Sequence, residues 1–223
     1  MDASDLFREQ FPAGLPFGKK KPSLALIPQQ GSQKAYFESE NEVAVIRENV
    51  YPNFTFQNLY NKLSGTQLAG RRLKSSLALL IALFDMVETE SEKSFYRHYR
   101  RQFRMANEDI PVLIPQAWIQ WHSKPKTDLR AEASSYANDL YRVDFVAFWG
   151  GKRFAILIDD IGHYGKQTWR GWAADEEAYS ARLKEDRKLI KEHWTVFRIS
   201  NWEMRRDEFI PEILSDLREL MEF

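Results

Sequence analysis

The chain has 223 residues, 43% of them hydrophobic and 14% aromatic with seven tryptophans, enough apolar material for one domain-sized core and too much for a disordered segment. Thirty-two Lys and Arg balance thirty-two Asp and Glu, so affinity for a polyanion has to come from a local patch. The absence of cysteine excludes disulfides and thiolate metal sites.

The longest greasy run, SLALLIALFDM at 76–86, is too short and interrupted to span a bilayer. The opening MDASDLFREQ lacks the charged-then-apolar order of a signal peptide. A soluble, cytoplasmic protein with no membrane partner is therefore expected.

In chain order, residues 1–38 hold Pro12, Pro16, Pro22 and Pro28 around Lys19-Lys20-Lys21. That pattern predicts an extended arm with one short strand at 24–27. Ser39 stands three residues before Glu42, a capping-box spacing that predicts a helix to about residue 50, stopped near Pro52. Residues 55–108 read as a helical block, with Leu68, Leu73, Leu77, Leu80, Ile81 and Phe84 at helical spacing. A break at 89–92 precedes a second helix from 92 to 105.

The period then changes. PVLIPQAWIQW, residues 111–121, reads as a strand in which Pro115 suits an edge or a bulge. A polar loop at 123–139 leads to a hairpin whose apolar runs, 143–149 and 154–158, flank Gly150-Gly151. Residues 175–193 predict a helix with the stripe Tyr179, Leu183, Asp186 and Ile190, and WTVFRIS, 194–200, a buried strand. Ser200 and Glu203 repeat the capping-box spacing before a last helix that runs to about residue 221. A hairpin followed by strand, helix and strand implies an α/β protein with a mixed sheet covered by helices on both faces.

The hairpin is apolar except for three carboxylates: Asp144 near the start of its first strand, and Asp159 and Asp160 at the end of its second. A charge in a core costs several kcal/mol unless it is paired, hydrogen-bonded or metal-bound. Alternation puts Asp159 on the face of Leu157, so a partner Asp144 on that face would bring two carboxylates together. Paired oxygen donors near solvent suit Mg²⁺ or Mn²⁺, and His163 is placed to ligate or to move a proton. Each residue also has an ordinary use. Asp144 can bond Arg142 or a loop amide, Asp159 or Asp160 can cap a turn, and His163 can be a loop residue. Asp186, on an apolar stripe, is read first as the partner of an arginine such as Arg198 or Arg182.

The run YRVDFVAF, then KRFAILIDDIGHYGK, then EAYSARLKEDRKLIKEHWTVFRISNWE resembles the core of the PD-(D/E)XK nuclease superfamily, most closely its very-short-patch-repair-endonuclease-like branch. The resemblance rests on Arg142, Asp144 and Phe145, on His163, on Asp186-Arg187 and on Phe197-Arg198, and it covers roughly residues 111–205. It implies a restriction-endonuclease-like four-stranded mixed sheet flanked by helices. Residues 39–54 and 109–223 would form this core, and 55–108 a helical insertion. It further implies Mg²⁺- or Mn²⁺-dependent hydrolysis of DNA, with Asp144, Asp159 and Asp160 as metal ligands and His163 assisting. Glu42 corresponds to the acid that some members carry on their first helix.

One departure is plain. Where the superfamily usually has Glu-x-Lys, this chain has Leu157 and Asp159. The repair-endonuclease branch also lacks that motif and relies on one Asp with histidines. The rival implied by the same departure is a catalytically silent DNA-binding or scaffold subunit.

The candidate DNA surface lies outside the hairpin. KSFYRHYRRQFR, 93–104, carries no acid; on a helix Phe95, Tyr99 and Phe103 share one face while Arg97, Arg101 and Arg104 share another, with Arg100 beside them. The aromatics are expected to be core. Arg71, Arg72 and Lys74 form a second cluster. Action as a homodimer or within a protein complex stays open.

Overall fold

The computed structural model describes residues 3–29, 32–38, 42–120, 140–161, 165–169 and 171–223. Its N-terminal residues are not an extended arm. Ala3–Gln10 forms helix α1, which buries Phe7; Phe11 follows and meets Phe148 edge to face, with ring centroids 5.9 Å apart. Leu15–Phe17 is strand β1, and Leu24–Gln29 (β2) pairs with Ser32–Phe37 (β3) in a separate hairpin. The prolines suggested an arm, but buried Phe7, Phe11, Leu15 and Phe17 anchor the segment in the main core.

The helix expected over 39–50 is also replaced. Ala44–Ile46 is strand β4, paired antiparallel with β1 through Leu15↔Ile46 and Phe17↔Ala44. Residues 43–46 are all buried, as a β-branched run enclosed on both faces should be, and that preference outweighs a capping-box spacing. Ser39 lies outside the described residues.

Residues 55–108 are helical with one interruption. Helix α2, Phe56–Leu63, is followed by a tight hairpin of Gln67–Leu68 (β5) and Arg71–Arg72 (β6), then by α3, Ser76–Met86, and α4, Glu90–Gln102. Side chains of Thr55, Ser75 and Thr89 cap the three helices. Leu68 and Leu73 are buried from the hairpin and its exit rather than from a helix. The block is no appendage: Tyr96 of α4 stacks on Phe145 with rings 5.6 Å apart and nearly parallel, and Phe95 lies against the same ring.

The main sheet has six strands, not four. Ile114–Gln120 (β7), Leu140–Trp149 (β8) and Lys152–Asp159 (β9) form an antiparallel meander. Gly150 and Gly151 turn β8 into β9 with φ of 57° and 74°, a conformation that favours glycine at both positions. After β9 come a small hairpin, Gly165–Thr168 (β10) with Gly171–Ala174 (β11), and helix α5, Glu176–Lys191. Strand β12, Trp194–Ser200, then lies parallel to β9.

The sheet order is β12-β9-β8-β7-β1-β4. The two added strands come from the segment read as arm and helix. Strand β7 is therefore interior; Pro115 is tolerated because β1 meets β7 only at Phe17↔Ala117. The chain ends in a short helix α6, Asn201–Met204, with the expected Ser200/Glu203 capping box, and in α7, Ile210–Met221. Among the described residues, no helix is long and apolar enough to cross a membrane.

Candidate functional site

The hairpin register pairs Phe145 with Ile156, so the ladder continued by one residue sets Asp144 against Leu157. Alternation then puts Asp159 on the side of Asp144. On β12, Arg198 stands beside Leu157 and Ser200 beside Asp159, which brings Arg198 to the same side. Asp144, Asp159 and Arg198 therefore share one end and one face of three adjacent strands. The sharing of a face by the two hairpin acids is as the alternation predicts.

Asp144 is half-buried and has little compensation. Its Oδ2 accepts the backbone N–H of Ile158 at 2.7 Å, and among the described residues its Oδ1 accepts no hydrogen bond. Burial, then the charge of Glu92, pushes its carboxyl up to about 7; the Ile158 N–H and Arg142 act against the rise, and Asp159 adds to it. Arg142 is itself engaged, pairing with Glu88 at 2.8 Å and lying over the Trp118 ring.

Glu92 is a second acid at this place, and sequence reasoning passed it over. It sits in the first turn of α4, almost fully buried, and accepts from Thr89 Oγ1 at 2.9 Å, Glu88 N–H at 3.2 Å and Gln116 Nε2 at 2.7 Å. Burial raises its pKa despite these bonds. A signal exists: Thr89 and Glu92 have the same capping-box spacing as Ser200 and Glu203, within the stretch 89–92 whose sequence reads as a break.

Gln116 links the two acids. The β7–β8 register, with Pro115↔Phe145 and Ala117↔Val143, brackets it opposite Asp144. It is completely buried and holds φ at 52°, a left-handed conformation uncommon for a side-chain-bearing residue inside a strand. Its Oε1 is a buried acceptor with no hydrogen-bond partner among the described residues. Unsatisfied acceptors and strained backbone concentrate where a ligand completes the structure.

Asp159 belongs to a different kind of cluster. Arg198 Nη1 donates to both of its oxygens, at 2.7 and 2.8 Å, while Arg198 Nε donates to Asp186 Oδ1 at 2.8 Å. Glu185 stands 3.6 Å from the same guanidinium. Burial alone would lower the pKa of Arg198, but Asp186 and Asp159 outweigh it and hold the cation firmly charged. Asp186 is thus the arginine partner that its place on an apolar stripe suggested. The stripe itself faces outward: Tyr179, Leu183 and Ile190 are exposed.

The other candidates separate. Asp160 is exposed and its Oδ1 accepts the neighbouring N–H of Ile161, the turn-capping use open to it from sequence. His163 lies outside the described residues. Glu42 is on no helix. It pairs with Lys20 and lines a cavity of about 390 Å³ with Lys19, Ala69, Gly70, Asp85 and Met86, so its correspondence to a first-helix acid fails. Among the described residues, no three carboxylates or histidines gather around one point.

Of the candidate DNA contacts, Arg97 lies over the Phe84 ring and Arg71 pairs with Asp85 at 3.0 Å. Arg72, Lys74, Arg101 and Arg104 are exposed and Arg100 half-buried. Phe95 and Tyr99 are fully buried and Phe103 is half-buried, so the aromatic face of α4 is core as expected. Glu88 and Glu90 are paired elsewhere, with Arg142 and Lys93.

No protein-family model, curated protein or solved structure matches the chain.

Proposed function

We propose that the protein is a metal-dependent nuclease that hydrolyses phosphodiester bonds in DNA, with Asp144 at the centre of its site. The observation that carries this reading is the Asp144–Glu92–Gln116 grouping. The charge of Glu92 adds to the cost of ionising Asp144, and a buried amide oxygen beside them, Gln116 Oε1, has no donor among the described residues. A hard cation is the ligand that relieves all three at once, since Mg²⁺ and Mn²⁺ take oxygen donors and keep water in the remaining positions.

The donor set fits such an ion in part, with two acids and an amide oxygen in place of three acids. Asp144 Oδ1, Gln116 Oε1 and Glu92 would hold it; Asp159, taken by Arg198, would not. A bound divalent ion supplies Lewis acidity toward a phosphate oxygen and a more acidic water. The chain's own contribution is to fix these oxygens. The Ile158 N–H orients Asp144, the first turn of α4 orients Glu92, and the strained backbone at Gln116 turns its amide toward Glu92. Arg198 ties Asp159 at the end of β9 to Asp186 of α5 and so keeps the Asp159 carboxylate out of the cation's reach.

A second reading has its own observation. Leu157 is buried opposite Asp144 where the superfamily that the sequence resembles usually supplies an acid, and both oxygens of Asp159 are occupied. These features favour a DNA-binding or scaffold subunit without catalysis. Incubation of purified protein with supercoiled plasmid and with single-stranded DNA, in Mg²⁺ or Mn²⁺, separates the two. The nuclease reading expects nicking that Asp144→Asn abolishes while the melting curve stays cooperative. Nicking that persists in Asp144→Asn contradicts it.

A further inference from the structure

Among the described residues seven large hydrophobic side chains are exposed, and three of them, Tyr179, Leu183 and Ile190, stand on α5. Their spacing puts them in one stripe along the helix. Asp186, which shares the stripe, is already compensated by Arg198. The helix neighbours show where the stripe points. Glu185 accepts from Tyr141 of β8, so its side of α5 looks toward the middle of the sheet. Asp186, about 100° further round, accepts from Arg198 of β12. The three apolar residues lie about 20° to 60° further round again, on the side away from β8. The stripe therefore looks out past β12.

Strand β12 is the last in the sheet order, paired with β9 through a register that has no bulge, and among the described residues no strand pairs with its other side. Its sequence, WTVFRIS, contains no proline and no lysine, the residues that commonly blunt an open edge. The opposite edge is protected: β4 has three residues, all buried. A seven-residue unblunted edge beside an exposed apolar stripe is a surface suited to pairing.

Two observations select the partner. Charge along α5 is ordered, with Asp175, Glu176 and Glu177 at its start and Lys184, Arg187 and Lys191 in its second half. An antiparallel copy of the same helix sets each acidic start against a basic end, and the Tyr179 end of one stripe against the Ile190 end of the other. This order also suits the helix dipole, but the strand edge calls independently for the same two-fold. Two β12 strands hydrogen-bonded antiparallel stand about 4.8 Å apart. Helix α5 crosses from β9 to the neighbouring β12 and reaches both, through Arg153 to the Glu192 carbonyl and through Arg198 to Asp186. A helix lying over that strand pair would then be about 10 Å from its two-fold mate, the distance at which helices pack. The chain's zero net charge leaves no overall self-repulsion to oppose the contact.

We propose that the protein is a two-fold homodimer in which the β12 edges pair antiparallel into one continuous sheet and the α5 stripes pack across the same axis. The antiparallel edges point the two sets of strand ends in opposite directions, so each copy keeps its own Asp144 site. The proposal goes beyond the nuclease reading and holds whether or not the protein cleaves DNA.

Sedimentation velocity of the full chain at micromolar concentration tests it. The expected mass is that of two chains for wild type and of one chain for Leu183→Glu/Ile190→Glu. Charge reversal separates a lost contact from a lost fold. Glu176→Lys/Glu177→Lys and Arg187→Glu/Lys191→Glu alter exposed residues only. Each variant alone should sediment as a monomer, because like charges then meet at both ends of the helix pair. Mixed in equal amounts, the two should return to the mass of two chains, which neither a misfolded variant nor a surface meant for another protein would give. Three results overturn the proposal: a wild type that stays monomeric, a dimer that persists in Leu183→Glu/Ile190→Glu, or charge-reversed variants that dimerise alone or fail to dimerise together.

Discussion

Two ionisable clusters sit at neighbouring strand ends and solve the problem of a buried charge in opposite ways. Around Arg198, one cation is shared among Asp159, Asp186 and Glu185, so every charge has a counter-charge. Around Asp144, an acid faces an acid, the arginine that acts on it, Arg142, is paired with Glu88, and among the described residues a buried amide oxygen goes unmet. The first arrangement is complete as it stands and explains itself as structure. The second is destabilising unless something else binds, and an arrangement that costs stability persists where it serves binding or chemistry.

The contrast can be broken most forcefully at Arg198. Arg198→Ala takes the arginine from Asp159 and Asp186, while Glu185 keeps Arg182, and is expected to cost about 3 to 5 kcal/mol in urea unfolding. Asp186→Ala should cost less, about 2 kcal/mol, because Asp159 still holds the guanidinium by two hydrogen bonds. Equal losses in the two variants would mean that Asp159 contributes nothing.

At the other cluster the sign reverses. Asp144 titrates near 3.8 in the unfolded chain and near 7 in the folded protein, so between those values the folded state retains a proton that the unfolded state has released. Stability therefore falls as pH rises through this window, and the penalty is complete above about 7. Asp144→Asn, which imitates the neutral acid, is expected to stabilise the protein at pH 8 by on the order of 2 kcal/mol and to have no such effect near pH 4. Melting temperatures across that range decide it; a destabilised variant at pH 8 would mean that the carboxylate is compensated after all. Glu92→Gln should lower the pKa of Asp144 by removing a like charge, and so narrow the same window, as carboxyl chemical shifts would report.

How much of this could be read from the chain differs between the clusters for a physical reason. Hairpin, α5 and β12 are local patterns: Gly150-Gly151, a 4-3-4 stripe and a β-branched run each specify one element. Asp186 on an otherwise apolar stripe announced its arginine. Gln116 and Glu92 reach Asp144 only through tertiary structure, from 28 and 52 positions away, and nothing local marks them as its neighbours. The same holds for β1 and β4, whose place in the sheet depends on pairing with each other and with β7 across about a hundred residues. Prolines and a chance capping-box spacing pointed the other way, and burial of Phe7, Phe17 and Val43–Ile46 overrode them.

The smallest expected effect on stability is at α4's outer surface. Replacing Arg101 and Arg104 by Ala should leave unfolding within about 0.5 kcal/mol, since both are exposed. Affinity for duplex DNA should nonetheless drop, and the slope of log affinity against log salt should fall by roughly one for each phosphate contact removed. An unchanged salt slope would remove this helix from the DNA surface.

The central claim, that the cluster around Asp144 is incomplete without a cation, is tested most directly by isothermal titration of the protein with Mn²⁺ and Mg²⁺ at pH 7.5. The account predicts one saturable site with release of a proton, lost in Asp144→Asn, weakened in Glu92→Gln and Gln116→Leu, and retained in Asp160→Asn. No binding by the wild type, or binding indifferent to Asp144, would contradict it.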